Sequence, residues 1–164
     1  MKIIVAVDKN WAIGKNGDLL FRITDDLKRF KEITTGNVII TGRKTLETFP
    51  NKKPLLNRVN IVLTSNDNYK NESAIICKNI DEVIEKVKKY ENKDIFVVGG
   101  GSVYNQMIDL CDTAYVTKID CSVENPDTFM INLDSRKDWF ILEESNVFYE
   151  NDIPFKYVTY KRKL

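Results

Sequence analysis

The 164-residue chain contains no histidine. That absence removes Ser-His-Asp and Cys-His chemistry, the usual zinc sites and the commonest general base. Any proton chemistry must rest on carboxylates, lysines, tyrosines or water. Cysteine is scarce: Cys77, Cys111 and Cys121 are an odd number with no Cys-x-x-Cys spacing. They read as free, buried thiols of a reducing compartment. Charge is nearly balanced, at net +1, which gives no electrostatic reason to expect nucleic acid or a membrane as partner. No apolar run approaches the roughly 20 residues of a membrane span. The apolar stretch Met1–Val7 is short and no small-residue cleavage site follows, so it reads as a first strand, and a cytoplasmic protein is expected. No linker, internal repeat or low-complexity segment is visible, and the basic end "YKRKL" reads as an exposed strand end. With 43% hydrophobic and 30% charged residues, the whole of 1–164 is expected to form one ordinary globular domain.

Strand-like runs fall at 2–8, 37–41, 58–64, 73–77, 94–98 and 113–120, followed by longer ones at 138–150 and 154–163. Helix-like runs fall at 25–33, 43–49, 80–90 and 102–109. The third opens with Asn79 and Glu82 at capping-box spacing, and Val83, Ile84 and Val87 form its apolar stripe. Short buried strands alternating with helices predict an α/β fold around a largely parallel sheet. The last two strands, joined by "NDIP", predict an antiparallel hairpin at one end of it.

The stretch "FRITDDLKRFKEI" places two aspartates at a helix start, with Thr24 as the expected N-cap. At about 100° per residue, Leu27, Phe30 and Ile33 fall at about 100°, 40° and −20° from Asp26. Asp26 lies inside that apolar arc, whereas Asp25 points about 140° away from its centre. Asp25 is therefore a surface acid complementing the helix dipole. Asp26 is either a second such acid, rotated outward or bonded to a neighbouring backbone amide, or a carboxylate at the bottom of an apolar cleft. There desolvation would raise its pKa, and its two oxygens would grip an amidine-like ligand edge.

Two strands run into a glycine and then a helix, in "VIITGRKT" and "FVVGGGSVY". Backbone amides at such turns bind phosphate, and glycine permits close approach. Two such turns in one sheet predict a ligand with two phosphate regions, such as a dinucleotide. Gly42 is equally a plain tight-turn residue; Gly99-Gly100-Gly101 carries more weight, since three glycines cost backbone entropy that packing rarely requires. Arg43, Lys44 and Thr45 supply two cations and a hydroxyl suited to a further phosphate monoester. The second turn is not a Rossmann fingerprint: it reads G-x-G-x-x-Y and comes late in the chain.

Taken with "AVDKNWAIGKNGDL", "TDDLKRFK", "VIITGRKTLETF", "NRVNIVLTS", "IFVVGGGSVY" and "VTKID", in order and at matching spacing, the sequence resembles dihydrofolate reductase of the short bacterial type. The resemblance implies a single α/β domain: an eight-stranded, mostly parallel mixed sheet with a C-terminal antiparallel hairpin and four flanking helices. It implies NADPH-dependent reduction of dihydrofolate to tetrahydrofolate, by hydride transfer to pterin C6 with protonation of N5, serving one-carbon metabolism. It also implies dihydrofolate and antifolate inhibitors as small-molecule partners, a monomer and no metal. Asp26 then matches the carboxylate that holds the pterin 2-amino group and N3, and Thr117 the hydroxyl bonded to it. Val5, Ala6, Leu27, Phe30 and Phe49 match the substrate cleft, and Arg58 the arginine that takes the substrate's α-carboxylate. Gly14–Leu20 resembles the mobile loop closing over the nicotinamide. Cofactor contacts are implied for Ala6, Ile13, Gly14, Leu19, Gly42, Arg43, Lys44, Thr45, Thr64, Ser65 and Val98. They are implied also for Gly99, Gly100, Gly101, Ser102, Val103 and Tyr104, with a cis Gly99–Gly100 peptide.

Several positions depart from the family's pattern. Leu20-Phe21 stands where proline-tryptophan is usual, so Phe21 keeps a ring at the catalytic edge without an indole N–H. Asn57 replaces a glycine before Arg58 and is expected at positive φ. Ser102 stands where a second cation is common, so preference for NADPH leans on Arg43 and Lys44. "ENPDTF" carries one extra residue. Two other readings share the fold: a reductase of a ribitylated pyrimidine in riboflavin synthesis, and a non-catalytic nucleotide-binding protein. Asp26 and Arg58 favour folate over the first, and the intact glycine turns disfavour the second.

Overall fold

Period-two alternation within the strands sorts the apolar side chains onto two faces, and that sorting organises the molecule. The computed structural model describes residues 1–164. Strand β1 (Lys2–Val7) is followed by two short strands, β2 (Ala12–Lys15) and β3 (Asp18–Leu19), and by helix α1 (Thr24–Thr34). Strand β4 (Val38–Gly42) runs into helix α2 (Arg43–Leu46), and β5 (Val59–Leu63) and β6 (Ile75–Cys77) precede α3 (Ile80–Val87). Strand β7 (Ile95–Gly99) leads to α4 (Gly101–Met107), after which come β8 (Thr113–Ile119) and β9 (Thr128–Phe129). The chain closes with β10 (Trp139–Glu144), β11 (Phe148–Glu150) and β12 (Ile153–Arg162).

The main sheet runs β10-β12-β8-β1-β7-β4-β5-β6, with β11 pairing β12 as a short ninth member. Neighbours from β8 to β6 are parallel, while β12 is antiparallel to β8, β10 and β11. This is the α/β mixed sheet with four helices that the sequence predicts. Ile3, Val5 and Val7 of β1 join Val38, Ile40, Val97, Ala114 and Val116 in the larger core, against Val83 of α3 and Met107 of α4. The intervening Ile4, Ile39 and Phe96 face the other way, toward Phe30 and Ile33 of α1. Each fully enclosed Ile or Val contributes about 1.5–3 kcal/mol, so reversing this alternation in one strand would empty both cores.

The structure corrects several expectations. The run 138–150 is two strands: β10 carries a bulge between Ile141 and Glu143, and the ladder with β12 lapses after Glu144, where the Ser145 hydroxyl accepts the Tyr157 N–H in place of a backbone carbonyl. The predicted antiparallel hairpin at the end of the chain is present, and it turns at Asn151 and Asp152, with φ 49° and 63°. Helix 43–49 closes after Leu46, and 80–90 tightens to a 3₁₀ turn over Lys88–Tyr90. A second, three-stranded sheet, β3-β2-β9, was not expected at all. Its hairpin turns at Asn16-Gly17, both at positive φ. Asn-Gly is a strong hairpin signal, so this element was legible. Thus the segment 14–20, expected as a mobile loop, is largely a hairpin. Asn16 N donates to Asp127 Oδ2 at 2.7 Å and Lys15 Nζ to the Glu124 carbonyl at 2.7 Å. The "ENPDTF" insertion supplies both acceptors.

Candidate active site

The two aspartates of α1 have separate environments. Thr24 is not the N-cap; Ile23 holds that position, without a side-chain bond. Instead the Glu150 carboxylate, at the end of β11, accepts the Thr24 N–H at 2.9 and 3.1 Å. A distant carboxylate thus does the work of a capping side chain and complements the helix dipole. Asp25 is exposed, while Asp26 is half-buried on the sheet side. Thr117 Oγ1 donates to Asp26 Oδ1 at 2.5 Å, from a side chain only 3% exposed. Asp26 is therefore turned toward the sheet and bonded to a β8 side chain, neither rotated outward nor bonded to a neighbouring amide. Burial raises its pKa above the ordinary carboxylate value, opposed by the Thr117 bond and the Arg29 charge.

Around Asp26 the predicted apolar residues are only partly assembled. Phe30, Ile33, Phe49 and Leu55 pack together against Ile4, Ile39 and Phe96. Phe21 and Ala6 pack beside Ile23, Ile119 and Phe155. Leu27, expected within the apolar stripe, is 44% exposed at the rim. Direction alone does not explain this, since the fully buried Thr34 lies only about 20° from Leu27 in projection; Leu27 is exposed by its place in the first turn of α1, at the rim. The Val5 side chain joins the larger core on the opposite face, so only its backbone borders the Asp26 side. Arg58 follows Asn57, which has the expected positive φ, at 60°. Its Nε donates to the Leu56 carbonyl at 2.9 Å and Nη1 to Thr34 Oγ1 at 3.2 Å. No carboxylate of the chain pairs with it, and partial burial lowers its pKa.

The two glycine turns lie at the carboxyl ends of adjacent parallel strands, where Thr41 pairs with Gly99. The Gly99–Gly100 peptide is cis, as the resemblance implied. A Cβ added to Gly42 would come 3.2 Å from Val103 Cγ2, and one added to Gly100 would come 3.1 Å from Thr45 Oγ1. Gly42, Thr45, Gly100 and Val103 are thus neighbours. At Gly101 an added Cβ would lie 2.9 Å from Thr128 Cγ2, 3.2 Å from the Phe129 carbonyl and 4.0 Å from Ile13 Cδ1. The small sheet, with Gly14 on β2, therefore sits over this turn, while Leu19 is exposed at its edge. Thr64 and Ser65 follow β5 on the same sheet edge, and Val98 lies just before the turn. Arg43 is not free, since Nη1 bonds Glu47 Oε1 at 2.8 Å, whereas Lys44 is exposed. Ser102 accepts bonds from Gln106 and offers no cation. Tyr104 is buried, with its hydroxyl donating to the Ile4 carbonyl at 2.8 Å. Burial and the Asp26 charge push its pKa up.

Sequence reasoning missed Arg29 and Tyr157. Tyr157 pairs directly with Thr117 across β12 and β8, and the Arg29 guanidinium carbon lies 4.1 Å from the Tyr157 ring centroid. The helical projection that selected Asp26 also puts Arg29 about 60° from it, on the same side. That signal was available. Glu150 carried none, because only the tertiary fold brings it to α1.

A mixed, mostly parallel sheet with paired glycine turns beside a partly buried carboxylate is that of an α/β protein built around one edge of its sheet. Residues 1–162 match the family described as dihydrofolate reductase. The chain is 31% identical to dihydrofolate reductase of Bacillus subtilis, over 99% of this chain and 95% of that one. It is likewise 31% identical to that of Staphylococcus aureus, over 99% and 98%. A bifunctional dihydrofolate reductase-thymidylate synthase of Glycine max is 33% identical over 98% of this chain, which spans about a third of that protein's length. A solved structure of dihydrofolate reductase from Enterococcus faecalis, complexed with NADP(H) and RAB-propyl, superposes with a TM-score of 0.86. It is 34% identical, covering 98% of this chain and 95% of that one. The chain belongs to the dihydrofolate reductase family.

Proposed function

We propose that this chain reduces 7,8-dihydrofolate to 5,6,7,8-tetrahydrofolate with NADPH, and that one observation above all supports it. Asp26 is a half-buried carboxylate beside apolar side chains, with one oxygen held by Thr117. Its second oxygen accepts no hydrogen bond from the chain, so the group is set to receive a planar, two-donor ligand edge. The pterin 2-amino and ring N–H are such an edge. Arg58, without a carboxylate partner of its own, suits the substrate's α-carboxylate, and Phe30 and Phe49 suit the flat ring system between them.

The residues at the carboxyl ends of β4, β5 and β7 fit a dinucleotide. Side chains at Gly42, Gly99, Gly100 and Gly101 would fill the space where the two turns meet their neighbours. Gly42, Thr45 and Gly99–Val103 would hold the phosphates, Lys44 and Arg43 the adenosine-side phosphate, and Thr64 and Ser65 the adjoining ribose. Ala6, Ile13, Gly14, Leu19, Val98 and Tyr104 would border the nicotinamide, with Ser102 at the solvent side. NADPH supplies the hydride. The chain's part is to orient the ring, exclude water with Phe21 and the β2–β3 hairpin, and hold a charge near the pterin at Asp26. The reaction takes up one proton from solvent at N5. No helix is long and apolar enough to cross a membrane.

The test follows NADPH absorbance with dihydrofolate, and separately with the ribitylated pyrimidine substrate of riboflavin synthesis. Oxidation with dihydrofolate alone is expected. Oxidation with the pyrimidine alone would replace the substrate, and none with either would leave a nucleotide-binding protein.

A further inference from the structure

Asp26 and Arg29 lie one turn apart on α1, and Thr117 and Tyr157 face each other across β8 and β12. Two contacts close this square. Thr117 Oγ1 donates to Asp26 Oδ1, and the Arg29 guanidinium carbon sits 4.1 Å from the Tyr157 ring centroid. The Tyr115 centroid, two residues from Thr117 on the same face of β8, is 5.9 Å from the same carbon. A guanidinium over aromatic rings is attracted by their faces and gives up mobility. Arg29 is half-buried yet joins no ion pair and no hydrogen bond with the chain. Its alternatives are exposed: Glu143 and Glu144 line the groove of about 300 Å³ that Arg29 and Tyr157 border, and Glu144 already pairs with Lys156 at 3.1 Å.

We infer that Arg29 is a positioning residue for the reductase site: held by Tyr157 and Tyr115, it is the fixed positive charge against which Asp26 ionises. This rests on the proposed reading of Asp26 as the substrate-gripping group. The groups facing Asp26 from every packed element are few. From α1 comes Arg29, from β8 Thr117, from β12 Tyr157 and from α4 Tyr104, while Asp25 of α1 is turned to solvent and Glu150 of β11 is engaged at Thr24. Arg29 is the one cation among them. The neutral phenols of Tyr104 and Tyr157 offer dipoles, and both have raised pKa values, for which burial is the largest cause and the charge on Asp26 the next. Arg29 therefore opposes the desolvation of Asp26 with a charge that cannot itself titrate near neutrality. Its tether sets the pH below which Asp26 carries the site's proton and above which it is the bare anion.

The experiment compares wild type, Arg29→Met and Arg29→Lys by two readouts. One is the pH profile of single-turnover NADPH oxidation with dihydrofolate. The other is the 13C carboxyl titration of Asp26 in aspartate-labelled protein, assigned by its loss in Asp26→Asn. In Arg29→Met both midpoints are expected to move to higher pH by at least about half a unit, since the ionised form loses a nearby opposite charge. Arg29→Lys is expected to keep them near wild type. Unchanged midpoints in Arg29→Met would overturn the inference, as would a Lys variant that shifts as far as Met. If Arg29→Met does not fold, Arg29→Gln takes its place under the same criteria. If wild type oxidises no NADPH with dihydrofolate, the proposed function fails, while the carboxyl titration still decides the role of Arg29.

Discussion

Replacing Asp26 with asparagine keeps the side chain's size and removes its charge, and two opposite consequences follow. Thr117 Oγ1 still finds an acceptor in the asparagine Oδ1, so the bond at that oxygen is retained. At the other oxygen an NH2 would stand against the donors of the proposed pterin edge. Each charge-assisted bond lost is worth about 1.5–3 kcal/mol, and two of them about 3–6 kcal/mol. At about 1.4 kcal/mol per tenfold, kcat/KM for dihydrofolate should fall by about 10²–10⁴. Stability should move the other way. The folded-state pKa of Asp26 is raised by burial, so the native state keeps its proton where the unfolded chain has already lost it. Wild-type stability is then favoured at low pH and declines as pH rises from the ordinary carboxylate range through the raised value. Above that window the penalty of burying the anion is constant. Asp26→Asn removes the penalty, so its urea midpoint should exceed wild type at neutral pH, and the advantage should vanish in acid. NADPH oxidation and urea melts across pH measure both. Equal rates, or a variant less stable than wild type at neutral pH, would refute the reasoning.

Other outcomes follow from the same geometry. Arg58→Lys should raise KM for dihydrofolate about 10–100-fold with little change in kcat, because an ammonium cannot form the paired bonds of a guanidinium. Arg43→Ala should raise KM for NADPH about tenfold and leave KM for NADH nearly unchanged, the modest size reflecting a guanidinium already shared with Glu47. Gly101→Ala should destabilise the fold by about 1–3 kcal/mol in urea melts, because its Cβ would press on the Phe129 carbonyl, which is backbone and yields little.

Sequence reasoning reached different depths at different places. The parallel sheet was legible because buried strands are short apolar runs with period-two sorting, as in Lys2–Val7 and Ile95–Gly99. Asp26 was legible because helical period fixes direction to within a few tens of degrees, and the same projection would have given Arg29. The hairpin at Asn16-Gly17 is legible in the same way, from the Asn-Gly pair itself. The break between β10 and β11 was not, since it rests on the Ser145 hydroxyl meeting the Tyr157 N–H across the sheet rather than on local composition. Nor were the Glu150 contact with Thr24 or the pairing of Tyr157 with Thr117, which exist only once the chain has returned to its beginning. Leu27 shows the limit of an arc drawn from three residues, since its exposure depends on where the sheet ends.

Glu150 holds the start of α1 across 126 residues of sequence, and Thr117 holds Asp26 across 91. During synthesis, then, the carboxylate emerges early but its setting arrives last. A nascent chain that has not yet delivered β8 to β12 lacks both the Glu150 contact with Thr24 and the Thr117 bond to Asp26. Long-range partners of this kind are the slow part of folding, because loop closure precedes any gain from contact. Asp26 therefore acquires its setting in the same event that completes the sheet.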